Sequence, residues 1–130
     1  MPLTVSDRAT TPARTSTDLI LLAENMGARV VWARDLPERG RCYPNGIIVI
    51  RHGMTERRTL STLAHELAHH HYGDTFCSPA AERRAWRWAA RLLVSCEAYA
   101  QAEQFHHSTG AIAQHLGVTT EIITALREAA

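Results

Sequence analysis

Lysine is missing from this chain: all fourteen cationic residues are arginine. With the abundant alanine, that reads as the coding bias of a GC-rich genome and carries no functional message. The thirteen acidic residues nearly cancel the cations and leave a net charge of +1. No global field therefore recruits nucleic acid or a membrane surface. Paired cysteines are missing too. Cys42, Cys77 and Cys96 are odd in number and contain no Cys-x-x-Cys spacing, which argues against a disulfide framework and for reduced thiols. No apolar run approaches membrane-spanning length, and the N-terminus lacks a signal-peptide core, so the expected location is the cytoplasm. Internal repeats and low-complexity segments are absent as well.

What is present is an ordinary globular balance, 45% apolar and 21% charged over 130 residues, enough for one domain with a modest core. Residues 1–14, rich in Thr, Pro and Arg, read as a flexible tail ahead of a single domain over residues 15–130. Thr15 with Asp18 forms a capping-box pattern, and Gly27 follows a helical run, so a helix is predicted over 16–26. Residues 28–33 and 47–50 read as strands, separated by turn formers over 35–46. Leu60, Leu63, Ala64 and Leu67 give helical spacing over 56–72, closed by Gly73. Another helix is predicted from Pro79 to about Cys96, and two or three more over 97–130. The fold class is α+β: a short sheet packed against a central helix, with a helical C-terminal part.

The central helix carries His65-Glu66-Leu67-Ala68-His69, an H-E-x-x-H motif. On a helix, positions i and i+4 share a face, so both imidazoles can grip one metal ion. Glu66, one step on from His65, leans toward the ion's open side, where it can take a proton from a water the metal has acidified. A histidine-rich surface helix would also produce this string, and His70 and His71 add to that enrichment. The helical context and the preceding strand favour the metal.

A zinc hydrolase needs a third protein ligand and an open fourth position. The metzincin continuation is excluded, because Tyr72 and Thr75 stand where it requires Gly and His. Glu82 fits best: it opens the next helix after a loop that permits a turn back, and Ala81, Ala85, Trp88, Ala89 and Leu92 form a stripe that packs on the motif helix. Asp74 is the alternative carboxylate. Cys77 is expected as a buried small hydrophobe rather than a thiolate over the metal.

At this point the chain resembles the ImmA/IrrE-type metallopeptidases. The residues that carry the likeness are 65–70, followed by Glu82, Ala85, Trp88, Ala89, Leu92 and Leu93 at E-x-x-A-x-x-aromatic-A-x-x-L-L spacing. Weaker matches run back through Asp18, Leu19, Leu22, Ala23, Gly27, Val30 and Val31 to residues 46–49, and forward into Ile112 and Ala113. The resemblance implies zinc as cofactor, held by His65, His69 and a gluzincin-like Glu82, with Glu66 as general base. It implies a small zincin-like core whose sheet edge holds an extended substrate. It also implies protein substrates, namely DNA-binding repressors of phages, mobile elements or stress regulons. The edge strand is expected near residues 47–50.

A reading from another class is a helix-turn-helix DNA-binding regulator over residues 111–127, with a non-catalytic metal site. Ile112, Leu116, Val118, Ile123 and Leu126 sit at its buried positions. Its reading helix, however, holds Glu121 against a lone Arg127, a poor footprint for direct nucleic-acid binding. Arg83, Arg84, Arg87 and Arg91 form a basic face on the Glu82 helix. Tyr72, Tyr99, His106, His107 and His115 are the candidates for stabilising an oxyanion.

Overall fold

The computed structural model describes residues 15–129; the expected tail over 1–14 lies outside them. Helix α1 (Ser16–Asn25) starts at a complete capping box. The Asp18 amide donates to Thr15 Oγ1 at 3.2 Å, and the Thr15 amide to Asp18 Oδ2 at 2.9 Å. The helix ends one residue short of the predicted boundary, before Gly27 turns the chain at φ +82°. Leu19 and Ala23 form its buried side.

Three strands follow: β1 (Arg29–Ala33), β2 (Gly40–Cys42) and β3 (Ile47–Arg51), in spatial order β1-β3-β2. β3 pairs parallel with β1, Val31 opposite Val49, and antiparallel with β2, Arg41 opposite Val49. This corrects the edge expected near residues 47–50. β3 uses its backbone groups on both neighbours, and among the described residues the free edges belong to β1 and β2. The turn formers over 35–46 predict no strand here, because Gly and Arg carry no strand signal; pairing with β3 makes residues 40–42 a strand. Ile48 and Ile50 are wholly buried, and alternate with half-buried Ile47 and Val49 on the opposite face.

Helix α2 (Glu56–Tyr72) runs through the middle of the molecule, buried on nearly every face from Thr59 to His69. It packs on α1, β2 and β3 and on α3 (Pro79–Leu93). The side of α3 that is buried centres on Ala85, Ala89, Ala90 and Leu93, so small residues let the two helices come close. The single helix expected to Cys96 breaks instead at Val94, which is extended, and Ser95 caps α4 (Cys96–Phe105). The chain closes with α5 (Thr109–Leu116) and α6 (Thr120–Ala129). Gly117, at φ +73°, turns between this last pair. Ile112, Val118, Ile122 and Ile123 bury in the common core, and the Thr119 amide donates to Ser61 Oγ on α2 at 3.1 Å. No helix among the described residues is long and apolar enough to cross a membrane.

Candidate metal centre

Helical spacing sets His65 and His69 side by side on α2, with ring centroids 4.7 Å apart. The loop after Gly73 then brings in α3, whose start is fixed by Ser78 (Oγ accepting from the Ala81 amide at 3.1 Å) and by Pro79 in the first turn. That start points Glu82 back at the motif. One Glu82 oxygen lies 2.9 Å from His65 Nε2 and the other 2.9 Å from His69 Nε2. His65 is further held by stacking on Trp86, with centroids 4.1 Å apart and planes 14° from parallel. The ligand atoms of His65, His69 and Glu82 fall within 4.8 Å of one another, the compactness that one small cation requires.

The far sides of both rings also meet carboxylates. His69 Nδ1 is 2.9 Å from Asp74 Oδ2, and His65 Nδ1 is 3.1 Å from Glu66 Oε2. Two neutral imidazoles own two N–H donors for these four contacts. The remaining two contacts need either two more protons or one divalent cation. The donor set therefore fits a metal at the Nε2 side, with each Nδ1–H turned to its carboxylate. Burial works against a charge on His65, but its hydrogen bond to Glu66 and the charges of Glu66 and Glu82 outweigh that, holding its pKa above the ordinary histidine range.

Glu66 is almost fully buried, and it lines a cleft with two lobes. The first lobe, about 300 Å³, lies between β2 with Pro44 and the loop carrying Phe76 and Cys77. The second, about 320 Å³, lies between Arg39, Thr62, Trp86 and Glu121. Gly40, His65, Glu66 and Glu82 border both. Arg39 reaches across to form an ion pair with Glu121 of α6, tying the C-terminal helix to the start of β2.

Several sequence expectations fall elsewhere. Asp74 contacts His69 and Arg84 and is not in the three-residue cluster. Cys77 is exposed on the cleft wall, not buried, because it lies in the loop before α3. None of Tyr72, Tyr99, His106, His107 and His115 lines either lobe. Tyr72 lies under the Arg84 guanidinium, Tyr99 bonds Glu103 and Arg127, and His106 packs on His115. His70 turns away to the Met26 carbonyl at 2.9 Å, and His71 stacks on Trp88.

Gly40 was missed altogether. A β-carbon there would stand 2.7 Å from Thr62 Cγ2 and 3.0 Å from Glu66 Cγ, so β2 can lie against the motif helix only without a side chain at this position. Only a reason to place residue 40 on a strand beside α2 could have flagged it.

A model of the M78 peptidase family, the IrrE N-terminal-like domain, matches residues 16–125. The chain belongs to this family. The resemblance to ImmA/IrrE-type peptidases read from the motifs is thereby borne out, and the family is one of metallopeptidases. Among solved structures, a Mycobacterium tuberculosis transcriptional regulator has a similar fold, with a TM-score of 0.62 at 18% identity over 85% of this chain. This chain spans 40% of the length of that one. No curated protein matches.

Proposed function

We propose that this is a cytoplasmic, zinc-dependent endopeptidase built as one zincin-like domain over residues 15–130, and that it cleaves an extended segment of a DNA-binding repressor. The observation that carries the reading is the convergence of two imidazole Nε2 atoms and the Glu82 carboxylate, at 2.9 Å each, on one wall of a cleft. His65, His69 and Glu82 would hold the zinc. Bound there, zinc supplies Lewis-acid polarisation of the attacking water and the scissile carbonyl.

The remaining steps belong to the chain's own residues. Among the described residues β2 pairs with β3 along one side only, and its Gly40, Arg41 and Cys42 face the cleft, so an extended peptide can add along the other side by backbone hydrogen bonds. Gly40 brings that backbone close to Glu66. Glu66 accepts the proton of the attacking water, then delivers it to the nitrogen leaving the broken C–N bond. Its burial keeps bulk water from competing for that proton. Only a segment that is loose or locally opened can lie along β2. A repressor cut between its DNA-binding and dimerisation parts would lose the paired half-site contacts that hold it on an operator.

The helix-turn-helix reading is weaker. The α5–α6 pair has the right outline, but its second helix packs on α3 and commits Glu121 to Arg39. Among the described residues those left exposed there are Thr120, Thr124, Arg127 and Glu128, with no excess of positive charge.

The test compares wild type with Glu66→Gln. Both should carry about one zinc per chain, and only wild type should cleave the regulator encoded beside this gene, read by fragment mass. An intact regulator with zinc-loaded wild type, together with direct operator binding by this protein, would favour the DNA-binding reading.

A further inference from the structure

We infer that Asp74 is a positioning residue for His69, clamped in turn by Arg84, and that this relay sets the affinity of the metal site. The inference rests on the zinc reading above.

The geometry begins at a helix end. Gly73, at φ +67°, stops α2 and turns the chain back, and the Asp74 amide donates to the His69 carbonyl at 3.0 Å. The Asp74 side chain is thereby carried up beside the last turn of the motif helix. Its Oδ2 sits 2.9 Å from His69 Nδ1, and its Oδ1 accepts from Arg84 Nη2 at 2.5 Å. The side chain is only 11% exposed, so both oxygens have protein partners in place of most of their water. Arg84 stands two residues after Glu82 on α3, so one helix delivers a ligand and the clamp together. Its guanidinium carbon lies 4.1 Å over the ring of Tyr72, the final residue of α2, a cation–π contact that stiffens the clamp. The relay starts at the end of α2, crosses to α3 and returns to His69.

A carboxylate on Nδ1 takes the ring's single N–H. That fixes the tautomer with the lone pair on Nε2, turns the ring toward Glu82 and raises its basicity as a ligand. His65 has no such dedicated partner, because the carboxylate on its Nδ1 belongs to Glu66, which the proposed reaction needs for proton transfer. Asp74 lines the cleft outside the three-residue cluster, and its two oxygens are directed to His69 and Arg84.

The test measures zinc affinity of wild type, Asp74→Ala, Asp74→Asn and Arg84→Gln by competition with a chromophoric chelator. Far-UV circular dichroism checks the fold. Asp74→Ala should bind zinc roughly 10–100-fold more weakly. Asp74→Asn, which keeps the shape and an acceptor oxygen but not the charge, should lose less, and Arg84→Gln should fall between it and wild type. Long-range nitrogen NMR of the zinc-loaded protein should show His69 protonated at Nδ1, with that proton shifted upfield in the Asp74 variants. If Asp74→Ala does not fold, Asp74→Asn and the NMR signature carry the test. Wild type that binds no zinc overturns both this inference and the reading beneath it. Unchanged affinity in the Asp74 variants overturns the positioning role alone. An altered visible spectrum of the cobalt-substituted site in Asp74→Ala, as Glu82→Ala should give, would make Asp74 a ligand and also overturn the positioning role.

Discussion

Gly40 and Glu66 stand so close that a β-carbon on residue 40 would lie 3.0 Å from Glu66 Cγ, with Thr62 Cγ2 nearer still at 2.7 Å. Both neighbours are buried on α2, and neither is the free end of a long side chain. Gly40→Ala should therefore push β2 away from the motif helix, costing about 1–3 kcal/mol as an overpacked contact. Cleavage should fall further than stability does, because β2 is the proposed substrate strand. Gly40→Ala with Thr62→Ser removes the nearer collision and should recover part of the loss. Thermal melts and cleavage rates check both; an unaffected Gly40→Ala would show that β2 does not need this close seat.

Glu82→Ala should reduce the site to two protein ligands and weaken zinc on the order of 10–100-fold or more. The clean readout is the zinc-induced stabilisation within each protein. At free zinc 100 times the wild-type Kd, wild type gains about 2.7 kcal/mol. A variant weakened 100-fold gains only about 0.4 kcal/mol at the same zinc. Equal gains in the two proteins would remove Glu82 from the ligand set.

The zinc-free and zinc-loaded proteins should respond to pH with opposite slopes. Without metal, the raised pKa of His65 arises because the Glu66 bond and the neighbouring carboxylates outweigh desolvation. The stability it contributes is complete below the unfolded value of about 6.5 and is lost as pH rises through the folded one. With zinc, the imidazoles must be unprotonated to bind, so the metal's contribution grows over the same range. Urea melts with chelator and with zinc measure both slopes. His65→Gln should flatten the zinc-free slope, and a zinc-free protein that gains stability as pH rises through this window would contradict the assignment.

Burial, together with the negative charges of Glu66 and Asp74, pushes the Cys42 thiol up to about 11. At neutral pH it is protonated, and only the thiolate reacts with an alkylating agent. Iodoacetamide at pH 7.5 should thus label the exposed Cys77 and Cys96 well before Cys42, as read by peptide mass. Labelling of Cys42 at the rate of the other two would mean the cleft is more open or less acidic than described.

Local chemistry wrote the parts of this protein that were legible in its sequence. Thr15 with Asp18 and Gly73 mark helix ends through contacts three or four residues away, Pro79 marks a first turn, and i,i+4 spacing alone puts His65 and His69 on one face. The break at Val94 is silent in the sequence because Ser95 caps the next helix without a Gly or Pro to announce it. Tertiary structure decided the rest. β2 is three residues of weak strand formers that exist as a strand only because Ile48 and Ile50 lie opposite Cys42 and Gly40, and that same pairing moved the free edge from 47–50 to 40–42. The sequence favours Glu82 over Asp74 as third ligand through its place at the start of α3, but both are carboxylates within reach of the motif. The direction of one turn after Gly73 set Asp74 at Nδ1, and the packing of α3 set Glu82 at Nε2. A sequence encodes which acids are near in the chain. Which ring nitrogen each one faces depends on distances across elements, which no spacing along the chain records.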